Sequence, residues 1–241
     1  PVGTLIGNTI TIEAKAAEAV DTSWYDNRTE GQTEFTISTE AQLRGLAQIV
    51  NSSNAAAGGF VMPFTGCTVK LANDIVMDAD TPFAPIGVSR GLGFAGVFDG
   101  QGHTIKNLHS VVFDSIVGSA TVRDLKIKNS NIGSDDYGKG FLINTIDFAY
   151  DGLKGKILIE NVDVEGKADV SKYQKGESGS FAGICSYVNI HKETQSVKIN
   201  NCSVNIKMST AGNYAIYYGG IIGGTSDNSK STLEISNCVF R

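Results

Sequence analysis

The stretch "ILIENVDVEG", residues 157–166, reads as a β-strand whose apolar phase flips in the middle. Ile157 and Ile159 fall on one parity, Val162 and Val164 on the other. Side chains alternate across a strand with period two, so a straight strand would send the second pair to the opposite face. The chain must therefore bend at Asn161. A residue in the left-handed αL region bends a strand sharply, and Asn is the side chain after Gly that tolerates αL most readily.

The same unit recurs in "TIKNLHS" (104–110), "TVRDLKIK" (121–128), "VKINNCSVNIK" (197–207) and "LEISNCVF" (233–240). Each carries an apolar residue, one polar residue, Asn or Asp, and then a further apolar residue. The corner positions are Asn107, Asp124, Asn161, Asn201 and Asn237, separated by 17, 37, 40 and 36 residues. An invariant local unit at unequal intervals points to layers whose strands stack while their loops vary. Amides stacked at one corner can also hydrogen-bond from layer to layer.

A second unit alternates with the first. "GFLINTI" (140–146), "GSFAGICSYV" (179–188) and "YGGIIGGTS" (218–226) are glycine-rich apolar strands, each following one Asn-corner unit. Two strands joined at a corner plus this third make one turn of a three-sided solenoid. Parallel crossovers are nearly always right-handed. The expectation is an all-β right-handed parallel β-helix with the five corner residues in one structural column.

One helix stands out ahead of the repeats, "STEAQLRGLAQIVNS" (38–52). Thr39 with Gln42 forms a capping box, and Leu43, Leu46, Ala47 and Val50 share one face. It is expected to cap the N-terminal end of the solenoid. The domain reading follows: residues 34–241 form the β-helix, and residues 1–33 form an N-terminal strand and linker or the end of a preceding domain. Trp24 and Tyr25 are expected to tuck against the cap. Because "ISNCVFR" stops midway through a unit, further coils are expected beyond Arg241.

Composition agrees with a turn-rich β domain. The chain has 241 residues, 28 of them glycine and only four proline, and 41% are hydrophobic. A net charge of −5, without long like-charge runs, offers no electrostatic footprint for nucleic acid. No run approaches the roughly 20 apolar residues of a membrane span, and the start lacks the regions of a signal peptide. The four cysteines, Cys67, Cys185, Cys202 and Cys238, show no metal-ligand spacing. Cys202 and Cys238 hold the inward position taken elsewhere by Leu108 and Val162, so they read as stacked thiols and not as a disulfide.

The order of these motifs carries a resemblance. "FTISTEAQLRGLAQIVN", "VKLANDIVMD", "PIG", "FAGVFDGQGHTIKNL" and the glycine-rich strands together resemble, over about residues 35–241, the GLUG-type β-helix region of large bacterial surface proteins. Similar stretches precede the catalytic part of immunoglobulin-A-cleaving metallopeptidases. The resemblance implies a secreted or cell-surface protein. The zinc-binding His-Glu-x-x-His motif of those peptidases is absent, so proteolysis is not carried over.

Three stretches offer candidate sites. In "FAGVFDGQGHTIKNL" (94–108), Asp99 and His103 could act as acid and base, but Asp-Gly is a turn dipeptide and turn chemistry is the better reading. For a polysaccharide lyase or glycosidase of the β-helix type, Asp135 and Asp136 are the candidates, with Asp114 or Asp124 nearby. Binding is the stronger alternative. Loops at 133–140, 166–180 and 208–220 carry Tyr137, Tyr173 and Tyr214, and insertions repeated at one corner commonly build a binding face. Tyr137, Tyr173, Tyr214, Asp135 and Asp136 are thus the expected binding residues, for a glycan or a host or extracellular protein. The expected function is a non-catalytic stalk and adhesion surface, without cofactor or metal.

Overall fold

The computed structural model describes residues 2–6, 9–13, 20–52, 63–88, 93–133, 140–147, 154–169, 179–190, 195–209, 216–226 and 231–241. Strands dominate, and with one exception they pair in parallel with strands from the neighbouring repeat. In the largest sheet the order runs Thr232–Ser236, Gln195–Asn200, Gly155–Asp169, Thr121–Ile132, Val97–Asp99, Thr68–Leu71 and Glu34–Ile37. In the second sheet Phe113–Ile116, Ile143–Asp147, Cys185–Asn189 and Ile222–Thr225 lie side by side. The three glycine-rich units of the sequence occupy the last three of these strands. The fold is all-β with parallel sheets.

Register explains why the apolar residues repeat. Ile159 faces Val122 on one side and Ile199 on the other, and Val164 faces Ile127 and Val204. All of these are buried, so each inward side chain packs on the same position of the adjacent layer. The core also draws on Phe94, Phe98 and Phe113, whose ring centroids lie 5.4–6.5 Å apart in edge-on and tilted contacts.

The exception to parallel pairing is a hairpin near the N-terminus, Val2–Ile6 against Thr9–Glu13. The alternating run that reads as one strand is two, folded on each other.

The two ends of the stack differ. At the Glu34–Ile37 end, helix α1 (Ser23–Asp26) and helix α2 (Glu40–Ser52) supply the cover. Leu43, Leu46, Ala47 and Val50 are buried as the helical periodicity predicts. The capping box forms with one shift: Thr39 Oγ1 accepts the Gln42 N–H at 3.2 Å, but Gln42 Oε1 accepts from the N–H of Ser38 at 2.8 Å. On the same helix, Arg44 and Glu40 are buried as an ion pair. Arg44 Nη2 donates to Glu40 Oε1 at 2.6 Å and to the Thr81 carbonyl at 2.9 Å, while both Glu40 oxygens accept from the Asp78 N–H at 3.0 Å. These bonds fasten α2 to the 78–82 segment.

Among the described residues, packing against the body extends back to Asp21. The Asp21 N–H donates to the Ala41 carbonyl at 3.0 Å, and Trp24 and Tyr25 set their rings 5.2–6.2 Å from those of Phe35 and Phe64. At the opposite end the inward positions are bare. Ile235 is 46% exposed although its register partner Ile199 is fully buried, and Phe240 is 55% exposed although its partner Val204 is 1% exposed.

Candidate functional site

Every predicted corner residue has a positive φ: Asn107 62°, Asp124 51°, Asn161 55°, Asn201 52° and Asn237 54°. They do not form one column. Asn161 Nδ2 donates to Asp124 Oδ1 at 2.8 Å, and Asn201 Nδ2 donates to Asn161 Oδ1 at 2.8 Å. Asn237 continues the sequence of corners, but its amide donates to Asn200 Oδ1 at 2.9 Å, one residue short of Asn201. Asn107 stands elsewhere. Thr104–Lys106 lies beside Lys126–Lys128 and not beside Thr121–Arg123, so Asn107 sits opposite Asn129. Asn129 also has a positive φ, 51°, and its Nδ2 donates to Asn107 Oδ1 at 2.6 Å. The chain thus turns twice per layer here, at Asp124 and again at Asn129. The interval of 17 residues between positions 107 and 124, half of the others, is the sequence signal for this second corner.

The second column stops after two rungs. In the next layer the register slips: Val164 pairs with Ile127, but Gly166 pairs with Ser130, so Glu165 alone spans Lys128 and Asn129. No asparagine corner follows, and Asn161 is the non-glycine residue of the Gly155–Asp169 strand with a positive φ. Residue 166 must lack a side chain, because a Cβ there would stand 2.5 Å from Phe141 Cε1 and 2.6 Å from the Ser130 carbonyl. The step from a cornered layer to a straighter one leaves a groove of about 440 Å³, bordered by Asn107, His109, Asn129, Asn131, Glu165 and Lys167. That volume falls within the range of small-molecule sites.

Between the two columns runs an outward face of alternating charge. Lys128 Nζ lies 2.6 Å from Asp163 Oδ2 and 3.1 Å from Glu165 Oε2. Burial opposes ionisation of Asp163, but hydrogen bonds from Lys128 and the Ser203 hydroxyl outweigh it and hold the carboxyl below its ordinary value. Burial likewise disfavours the charged Lys128, yet its two carboxylate partners raise its pKa.

The other candidates take structural roles or fall outside view. Asp99 does not meet His103. Its carboxylate accepts from the Gln101 N–H at 3.0 Å and from Arg123 at 2.8 and 3.0 Å, and His103 Nδ1 instead lies 3.5 Å from Asp74 Oδ1. Asp114 Oδ1 accepts from Asn144 Nδ2 at 2.9 Å, and Asp124 is the first rung of the amide column. Tyr137, Tyr173, Tyr214, Asp135 and Asp136 lie outside the described residues. Cys202 is buried beside Cys238, and both thiols are free.

No protein-family model matches the chain, and no curated protein matches it. Among solved structures it is similar to a crystal structure from Bacteroides ovatus described as a "putative immunoglobulin A1 protease", with 18% sequence identity and a TM-score of 0.57 over 89% of this chain and 68% of that one. At this identity the likeness speaks to the fold alone. Among the described residues no helix is long and apolar enough to cross a membrane.

Proposed function

We propose that this chain is a right-handed parallel β-helix of the GLUG type, acting as a non-catalytic module of a secreted or cell-surface protein. It serves as a stiff stalk and offers a binding surface to a glycan or an extracellular protein. The supporting observation is the layer-by-layer register, in which each strand is held by the equivalent strand of its neighbour and length grows by repetition. The bare inward positions of Ile235 and Phe240 form the surface on which a further coil would stack. Likeness to a protein named for protease activity does not extend to a proteolytic reading, because none of the three histidines begins a His-Glu-x-x-His motif.

The alternative, a polysaccharide lyase or glycoside hydrolase, rests on Asp135 and Asp136. The described acids Asp99, Asp114, Asp124 and Asp163 are each engaged by a hydrogen-bond donor in a structural role. A paired screen separates the readings. The module reading expects retention on an array of glycans and extracellular-matrix proteins with no depolymerised product from any polysaccharide. Product formation that disappears in Asp135→Ala or Asp136→Ala would replace it with the enzyme reading.

A further inference from the structure

The groove at Asn129 is where a ladder of amides is interrupted. In the first column the amide of Asn161 is used from both sides: it donates through Nδ2 to Asp124 and accepts at Oδ1 from Asn201. In the second column Asn129 donates through Nδ2 to Asn107, and the next layer presents Glu165 and Gly166 in place of an asparagine. Turning Nδ2 toward Asn107 turns Oδ1 toward that next layer. Among the described residues no donor reaches Oδ1. The rung that would supply one is missing, and the groove occupies its place.

We infer that this groove binds a carbohydrate bearing an acetamido group, whose amide N–H donates to Asn129 Oδ1 in the position of the absent asparagine. Three observations select that chemistry. A secondary amide offers the donor and acceptor that an asparagine rung offers, so it can continue the pattern upward. The remaining border is polar and suited to hydroxyls: Asn131, His109 and Lys167 are exposed and make no side-chain hydrogen bond to another described residue. Charge is balanced, with Glu165 against Lys167 and Glu165 already held by Lys128, so the groove exerts no net pull on a charged ligand. The inference deepens the binding role proposed above and rests on it.

Isothermal titration with the N-acetylglucosamine trimer and with cellotriose, which carries hydroxyls in place of the acetamido groups, tests it. The acetamido trimer is expected to bind about tenfold more tightly than cellotriose, because only the acetamido group sets an N–H against Asn129 Oδ1 with a carbonyl acceptor beyond it, as an asparagine rung would. Asn129→Gly keeps the backbone conformation, removes the acceptor, and is expected to weaken binding about tenfold or more. Asn161→Gly makes the same change in the first column, away from the groove, and is expected to leave binding unchanged. Asn131→Ala, at an exposed position with no packing role, is expected to weaken binding with an unaltered melting curve. Equal binding of the two trimers would overturn acetamido recognition while the glycan-binding role stood. Binding that survives both Asn129→Gly and Asn131→Ala would move the site elsewhere. Failure to bind the acetamido trimer would also overturn the inference, and the wider role would fall with it only if the array of glycans and matrix proteins were also blank.

Discussion

Asn161 and Asp124 are 37 residues apart, yet the Asn161 amide donates to the Asp124 carboxylate at 2.8 Å and both residues hold φ near 50°. The two features have one cause. A left-handed residue turns the strand, and repeating it in the adjacent layer brings side chains of equal reach over one another. Corner geometry and inter-layer bonding are thus supplied by the same asparagine.

Substitutions at Asn161 should therefore rank by backbone tolerance. Asn161→Ala keeps a Cβ at φ 55° and loses both amide bonds, and is expected to cost about 2 kcal/mol. Asn161→Gly loses the bonds but relieves the backbone, for about 1 kcal/mol. Urea melts of the two variants check the order. An alanine variant as stable as the glycine variant would show that the corner is held by its neighbours and not by its own residue.

Gly45 sits inside helix α2, where alanine ordinarily gains about 1 kcal/mol. Here a Cβ would stand 2.0 Å from the Asp21 carbonyl oxygen and 3.3 Å from Trp24 Nε1. Gly45→Ala is expected to lower the melting temperature and shift Trp24 fluorescence to the red as the 21–26 segment is pushed off Phe35 and Phe64. Unchanged fluorescence with a raised melting temperature would mean that this segment contributes nothing to the cover.

Acid should loosen the outer faces before the core. The Asp99 carboxyl is disfavoured by burial, but hydrogen bonds from Gln101 and Arg123 hold it below its usual value, and Asp74 and Asp163 are lowered as well. A carboxyl with a depressed folded pKa contributes stability that is present above the unfolded value, about 3.9, and lost as pH falls through the folded one. Stability from these three groups is expected to hold at neutral pH and to decline below about pH 4. Asp99→Asn should flatten that decline in a pH series of urea midpoints. An equal slope in the variant would remove Asp99 from the account.

The four thiols should divide by depth. Burial pushes Cys185 and Cys202 up to about 12, so neither offers a reactive thiolate near pH 8. Cys67 and Cys238 are half-buried. Native protein is expected to release at most two equivalents with a thiol-disulfide reagent and four after denaturation. Mass spectrometry of the labelled peptides should find Cys185 and Cys202 only in the denatured sample; their rapid native labelling would contradict the buried inward stacking.

Much of this was legible in the chain itself. A parity flip at a single asparagine is a local property, so "ILIENVDVEG" fixes the bend at Asn161 without knowledge of its neighbours, and repetition of that unit implies parallel stacking. The face of α2 was readable for the same reason, since a 3.6-residue period is internal to the helix.

What the tertiary structure alone decided is which layers lie against which. Asn107 and Asn129 each close an Ile-Lys-Asn triplet, but that local likeness does not say that the two lie level. They meet because the register of Thr104–Lys106 against Lys126–Lys128 brings them level, and the slip from Val164 to Gly166 then ends their column and opens the groove. Asp21 is fastened to α2 by its N–H on the Ala41 carbonyl and by Gln42 Nε2 on its carboxylate, a pairing 21 residues apart that no local pattern announces. Alternation and αL tolerance are written residue by residue, whereas register between distant strands is settled by the collective packing of every layer at once.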